Sequence, residues 1–178
     1  MASSVRTDIS LGSKILRVNH AGEHGAVNIY AGQILAARLT APSMVAELAH
    51  FKAHEEKHRA LFLEELQFRG VRRCRSYWLC GAGGFVLGLF TGILGRQFIA
   101  ATTVAVERVV LEHLQTQLQE LSGHDERAVV VISAIVEDEQ HHHDQSASHL
   151  SPHRVVPALM GHVVSAATES VIWLGMRS

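Results

Sequence analysis

A chain of 178 residues with 47% hydrophobic content suffices for one well-buried domain and falls short of two comfortable ones. Lys and Arg (16) nearly cancel Asp and Glu (17), so no general positive field is available to hold a polyanion, and nucleic acid is excluded as an expected partner. The two cysteines, Cys74 and Cys80, have a spacing that suits neither a zinc knuckle nor a redox pair, and a reducing compartment fits them.

In chain order, residues 1–14 read as an N-terminal tail. They lack the apolar core of a signal peptide and the Arg-rich amphipathic pattern of a transit segment, so the chain is expected to start in cytoplasm. Residues 15–178 read as a single domain. Apolar residues recur at three- and four-residue steps in Leu16 to Leu39, Met44 to Phe68, Phe98 to Leu121 and Asp125 to Leu150, with no sustained alternation of period two. Four long helices are predicted. Pro42 and Pro152 sit where helices should begin, and Gly70 and Gly123 where they should end. Two further segments, Leu79 to Gly95 and Val155 to Met176, are apolar, which makes the fold all-α: a four-helix bundle with two additional hydrophobic helices.

A Glu-x-x-His pair on a helix places a carboxylate and an imidazole on one face, where both can reach one metal ion. The chain has three such pairs: Glu47/His50, Glu55/His58 and Glu139/His142. An internal repeat chooses between them. Glu23 precedes Glu55 by 32 residues and Glu107 precedes Glu139 by the same 32, so Glu-x31-Glu-x-x-His is written twice. The residue 32 before Glu47 is Ile15, which ligates nothing, so Glu47/His50 is assigned to a solvated helix face.

Helical phase gives an independent test. Leu48, Phe51, Glu55, His58, Phe62 and Leu66 fall on one apolar stripe, as do Ile132, Ile135, Glu139 and His142. Glu23 shares its stripe with Leu16, Val27, Tyr30 and Ile34, and Glu107 with Ala100, Thr103, Leu111, Leu114 and Leu118. Four carboxylates would meet inside one bundle. Burying them unpaired costs several kcal/mol each, and two imidazoles cannot satisfy all four, so cations are the physical explanation. One Glu from each of two helices and a Glu-x-x-His from each of the other two is the pattern of ferritin-like di-iron and di-manganese proteins. Carboxylate and imidazole donors without thiolate suit iron or manganese with open positions. Glu55 and Glu139 are the candidates for bridging both ions. His141 and His143 point away from the face of His142 and are read as solvated, while His113, six residues after Glu107, is a candidate second-layer donor.

Arg17-Val18-Asn19-His20-Ala21-Gly22-Glu23, Glu55-Glu56-Lys57-His58, Thr103-Val104-Ala105-Val106-Glu107 and Glu139-Gln140-His141-His142-His143-Asp144 together resemble the demethoxyubiquinone hydroxylases of ubiquinone biosynthesis, from about Ile15 to the C-terminus. The resemblance implies two iron ions held by Glu23, Glu55, His58, Glu107, Glu139 and His142, with Glu55 and Glu139 bridging. It implies hydroxylation of a 6-methoxy-3-methyl-2-polyprenyl benzoquinol at its vacant ring carbon, with O2 as co-substrate and NADH-derived electrons. It also implies a peripheral protein of the inner membrane that associates with other quinone-biosynthesis proteins. The chain departs from the family at His24 and Leu114, where members carry Tyr, and at His141, where they carry an acidic residue. No ligand is lost, but these departures leave the proton and electron route unassigned.

The uncharged, glycine-rich segment Leu79 to Gly95 is 17 residues long, at the lower edge of what spans a bilayer. A four-helix bundle already has its core, so this segment is read as an embedded, non-spanning membrane contact at about 77–97, edged by Trp78, Arg72, Arg73 and Arg75. The expected location is the cytoplasmic face of a bacterial inner membrane. Two other readings stand beside this one: a ferritin- or rubrerythrin-like iron oxidase or peroxidase with the same ligands, and a non-enzymatic membrane-associated helical bundle.

Overall fold

The computed structural model describes residues 9–151 and 155–177, and every regular element among them is helical. Helix α1 (Leu11–Thr40) begins more than a turn before the apolar period starting at Leu16, because Ser10 caps it: the Ser10 hydroxyl accepts from the Ser13 N–H at 3.3 Å. A 3-10 turn, Pro42–Met44, leads into α2 (Val45–Phe68). That helix closes as the glycine signal predicts. Gly70 has φ +65°, its N–H reaches the Gln67 carbonyl at 3.0 Å, and the Val71 N–H reaches that of Leu66 at 2.9 Å.

Helix α3 (Tyr77–Leu94) and α4 (Arg96–Leu121) are joined by Gly95 alone, at φ +88°. After Gly123 (φ +73°), Asp125 caps α5 (Glu126–Ser133), its Oδ1 accepting from the Ala128 N–H at 3.2 Å. Then follow α6 (Val136–Ala147) and α7 (Val155–Met176). Pro152 lies outside the described residues.

The expected single helix from Asp125 to Leu150 is therefore two. The Ile135 N–H turns to the Ile132 carbonyl, three residues back, at 3.3 Å, and the ladder restarts with the Glu139 N–H on the Ile135 carbonyl at 3.1 Å. The β-branched run Val129-Val130-Val131-Ile132, which crowds a helix, leads into this tight turn. Ile132, Ile135, Glu139 and His142 all remain buried through it.

Helices α1, α2, α4 and the α5/α6 pair form the bundle. Two apolar plugs close it. Toward one end Leu16, Phe62, Leu66, Leu121, Ile132 and Ile135 pack together, and toward the other Tyr30, Met44, Leu48, Phe51 and Ile99 do so. Each large side chain so buried contributes roughly 1.5–3 kcal/mol, which offsets the cost of a polar layer between them.

Helix α3 packs along the outer side of α1 through glycine. A Cβ added at Gly84 would overlap the Gly25 carbonyl oxygen, one at Gly88 the Ile29 carbonyl oxygen, and one at Gly32 the Phe85 carbonyl oxygen, so the two backbones touch. The opposite side of α3 exposes Trp78, Leu79, Val86, Phe90 and Ile93. Helix α7 packs on α4, where Val164 meets Ala105 and Val106, and exposes Val163, Val171, Trp173 and Leu174. The two hydrophobic helices expected outside the bundle are thus present, each with an apolar face left uncovered.

Glu47 is not the solvated residue the repeat suggested. It accepts from His149 Nε2 at 2.9 Å and from Gln145 Nε2 at 2.7 Å, tying the start of α2 to the end of α6, because its helical phase turns it toward those side chains. His50 is exposed as expected. A second clamp joins the end of α2 to the start of α5: Arg69 donates to Asp125 at 2.6 and 2.8 Å and to Glu65 at 2.8 Å, and Arg127 donates to Glu65 at 2.7 Å.

Candidate metal centre

Between the plugs the structure brings together Glu23 from α1, Glu55 and His58 from α2, Glu107 from α4, and Glu139 and His142 from α6, each at most 6% exposed. They form two overlapping groups, Glu23, Glu55, His58 and Glu139, and Glu55, Glu107, Glu139 and His142, with the ligating atoms of each group within 4.8 Å of one another. Glu55 and Glu139 belong to both groups. His58 Nδ1 lies 2.9 Å from Glu139, 3.7 Å from Glu55 and 3.9 Å from Glu23. His142 Nδ1 lies 3.1 Å from Glu55 and 3.8 Å from Glu139.

These atoms are close, yet they are not aligned for hydrogen bonds. His58 Nδ1, His142 Nδ1, Glu55 Oε1 and both Glu139 oxygens are buried without a hydrogen-bond partner. Lone pairs that converge on common points and bond to nothing are what cations would satisfy. Two divalent ions fit this donor set, and the absence of sulfur among the donors favours a hard or borderline metal.

The charges tell the same story. Burial drives the Glu23 and Glu107 carboxyls well above the usual range, reinforced by Glu55 and Glu139 respectively. Burial pushes Glu139 the same way, but its contacts with His142 and His58 outweigh burial and hold it below the carboxylate range. Burial would lower His58 and His142, whereas the carboxylates of Glu139 and Glu55 raise them to about 10 and about 9. The excess of buried negative charge is what bound cations would offset.

Several neighbours of the site were not legible in the sequence as such. The Tyr30 hydroxyl, buried, donates to Glu107 Oε1 at 2.7 Å. The outward nitrogens of the two imidazoles are also engaged: His58 Nε2 lies 3.1 Å from Asp138 Oδ2, and His142 Nε2 lies 3.2 Å from His54 Nδ1. The signal available was position, since His54 and Asp138 each stand one residue before the Glu of a Glu-x-x-His pair.

The other histidines separate by environment. His141 is exposed, and His143 is half-buried against Asp144 at 2.9 Å. His113 contacts Glu169 of α7 at 2.9 Å and lines the cavity beside the site. His24 stacks on Tyr77 with ring centroids 4.0 Å apart and accepts from Arg59 at 3.1 Å. His20 stacks on the same tyrosine at 4.9 Å, is buried, and has no hydrogen-bond partner on either nitrogen. Burial, with Arg73 and Arg59 nearby, lowers it to about 4, so it is a neutral packing group.

A cavity of about 470 Å³ adjoins the carboxylates. Glu23, Glu55, Glu107 and Glu139 form its floor, and its walls include Ala26, Ile29, Val106 and Val110, with Leu79 and Leu87 from α3 and Val164 and Val171 from α7. Leu79 and Val171 are themselves exposed, so the cavity reaches the surface where the apolar faces of α3 and α7 lie. Leu114 lines it with an aliphatic side chain.

Residues 10–175 match the family model of the ubiquinone biosynthesis protein COQ7. The chain belongs to that family. It is 32% identical over 168 residues to the mouse NADPH-dependent 3-demethoxyubiquinone 3-hydroxylase, covering 92% of this chain and 76% of the relative. It is 34% identical over 162 residues to the 3-demethoxyubiquinol 3-hydroxylase of Polaromonas sp., covering 87% and 77%. To that of Rhodospirillum rubrum it is 40% identical over 113 residues, or 64% of this chain and 52% of the relative. The match to the Dictyostelium discoideum enzyme likewise spans about half of it, 49%.

Proposed function

We propose that this member of the COQ7 family is a di-iron monooxygenase that hydroxylates a 6-methoxy-3-methyl-2-polyprenyl benzoquinol at its vacant ring carbon. The observation that carries the reading is the cavity. An apolar space that runs from four buried carboxylates to the exposed faces of α3 and α7 suits a prenylated ring, and serves no purpose for an iron ion or a peroxide.

In this reading Glu23, Glu55, His58, Glu107, Glu139 and His142 would hold two irons, and Glu55 and Glu139, common to both groups, would serve both. The irons supply the activation of O2. The protein does the rest. Tyr30 fixes one oxygen of Glu107 by its hydrogen bond. Ala26, Ile29, Val106 and Val110 hold the ring against the floor and exclude water, and the greasy gap between α3 and α7 receives the isoprenoid tail. One oxygen atom would enter the ring and the other would leave as water, with two electrons and one proton drawn from a reduced nicotinamide nucleotide and the second proton from solvent.

Substrate reaches such a cavity from lipid. The single domain would lie on the cytoplasmic face of a bacterial inner membrane with α3, the one described helix long and apolar enough to cross a membrane, as its contact segment. Its glycine face is already occupied by α1, which favours an embedded contact over a span. Association with other quinone-biosynthesis proteins belongs to the same reading.

The test is anaerobic reduction of the iron-loaded protein, followed by labelled O2 and a short-tailed methoxyquinol. One labelled oxygen atom should enter the product, and Glu107→Ala should lower turnover per bound iron by orders of magnitude. Repeated oxidation of excess ferrous iron with no hydroxylated quinol would replace this reading with the ferritin-like one.

A further inference from the structure

We propose that His54 and Asp138 are positioning residues that make the two metal positions unequal, with the ion beside His58 held more tightly than the ion beside His142. The proposal rests on the reading of the six residues as a two-metal site.

The geometry is reciprocal. His54 stands one residue before Glu55 in the first Glu-x-x-His pair, and Asp138 one residue before Glu139 in the second. Each reaches across to the histidine of the other pair. Asp138 Oδ2 meets His58 Nε2 at 3.1 Å, and His54 Nδ1 meets His142 Nε2 at 3.2 Å. The repeat that duplicates the ligands thus also duplicates the position behind each imidazole, and fills it with different chemistry.

That difference has a direct consequence. Both imidazoles turn Nδ1 inward, His58 to Glu139 at 2.9 Å and His142 to Glu55 at 3.1 Å. An imidazole that gives Nδ1 to an ion keeps its proton on Nε2 and donates it to whatever stands behind. Behind His58 stands a carboxylate, which draws that proton strongly and leaves Nδ1 electron-rich. Behind His142 stands the lone pair of a neutral imidazole, a weaker acceptor, which must then carry its own proton on Nε2. His54 Nδ1 and Asp138 Oδ1 lie 3.6 Å apart, beyond a hydrogen bond, so the carboxylate serves His58 and not His142. Orientation is served on both sides, and donor strength on one.

The experiment titrates the metal-free full-length protein with Co(II), read by ligand-field absorption and calorimetry. Wild type should take up two ions in two resolved steps. His54→Leu should weaken the weaker step ten- to a hundredfold and leave the tighter one in place, which also shows that the variant is folded. His54→Asn, whose side-chain Oδ1 stands where Nδ1 of the imidazole stands and accepts the same proton, should recover the lost step. Asp138→Asn, which removes the charge but keeps an acceptor, should lower the tighter step toward the weaker. The inference is overturned by a single unresolved two-ion step in wild type, by equal loss of both steps in His54→Leu, by no change there, or by no recovery in His54→Asn. Uptake of fewer than two ions by wild type would instead remove the two-metal reading itself.

Discussion

Replacing Gly88 and Gly83 by alanine, one at a time, should shift stability in opposite directions. Both lie in α3, and both substitutions add one methyl group to the same helix. A Cβ at Gly88 would overlap the Ile29 carbonyl oxygen, a backbone atom that cannot rotate aside, whereas one at Gly83 meets nothing within 4 Å. At Gly83 only the helix preference of alanine remains, a gain of about 0.5–1 kcal/mol. At Gly88 the same preference is outweighed by an overpacked interface, costing about 1–3 kcal/mol net. For a domain of this size 1 kcal/mol moves Tm by roughly 2–4 °C. Gly83→Ala should therefore raise Tm by roughly 1–4 °C, and Gly88→Ala should lower it by roughly 2–12 °C, in matched detergent and metal content. Two shifts of the same sign would refute the backbone-to-backbone contact between α1 and α3.

Glu55→Ala or Glu139→Ala should strip far more iron from the protein than Glu47→Ala, whose partners are His149 and Gln145 and not the centre; equal losses in metal analysis would dissolve the repeat argument. Loading two ions should release protons, because carboxylates hold His58 at about 10 and His142 at about 9, so both are charged at neutral pH and must lose a proton to bind metal. Affinity should rise with pH toward about 9 to 10, and calorimetry showing no dependence on buffer ionisation would contradict this. The Glu65 and Asp125 carboxyls are held below their usual range, Glu65 first by Arg127 and Asp125 first by Arg69. Their contribution is present above the unfolded carboxylate range and is lost as pH falls through the lower folded values. The stability gap between wild type and Glu65→Gln in urea should thus be about 1.5–3 kcal/mol at pH 7 and smaller at pH 3; a constant gap would be inconsistent with the clamp. Trp78→Ser with Leu79→Ser, both exposed on α3, should weaken liposome binding while iron content stays unchanged, and undiminished binding would count against the membrane contact.

What could be read from the sequence is what helical period controls. A metal-binding group must face the core, so the candidates Glu55 and His58 had to share a stripe with Phe51 and Phe62, and the duplicated spacing separated them from Glu47. Terminators were legible for the same local reason: Gly70 and Gly123 adopt the positive φ their position required. What lay beyond reach depended on partners distant in the chain. Glu47 looked solvated because its partner His149 is remote in sequence and brought near only by the bundle. His20 and His58 are both buried histidines, and nothing local tells the neutral one stacked on Tyr77 from the one facing carboxylates. The break at Ala134 and Ile135 leaves the apolar phase intact, so periodicity passes through it unmarked.

Helix α1 carries Glu23 on its inner side and presses its bare backbone against α3 on its outer side. Most helix pairs meet through side chains that can change rotamer and absorb a push. Gly25 and Gly32 against Gly84 and Gly88 leave no such cushion, so the joint is stiff. A force applied to the exposed face of α3 is borne by the α1 backbone within a single helix diameter of Glu23. Mechanically, this outer helix and one wall of the buried chamber are built as one part.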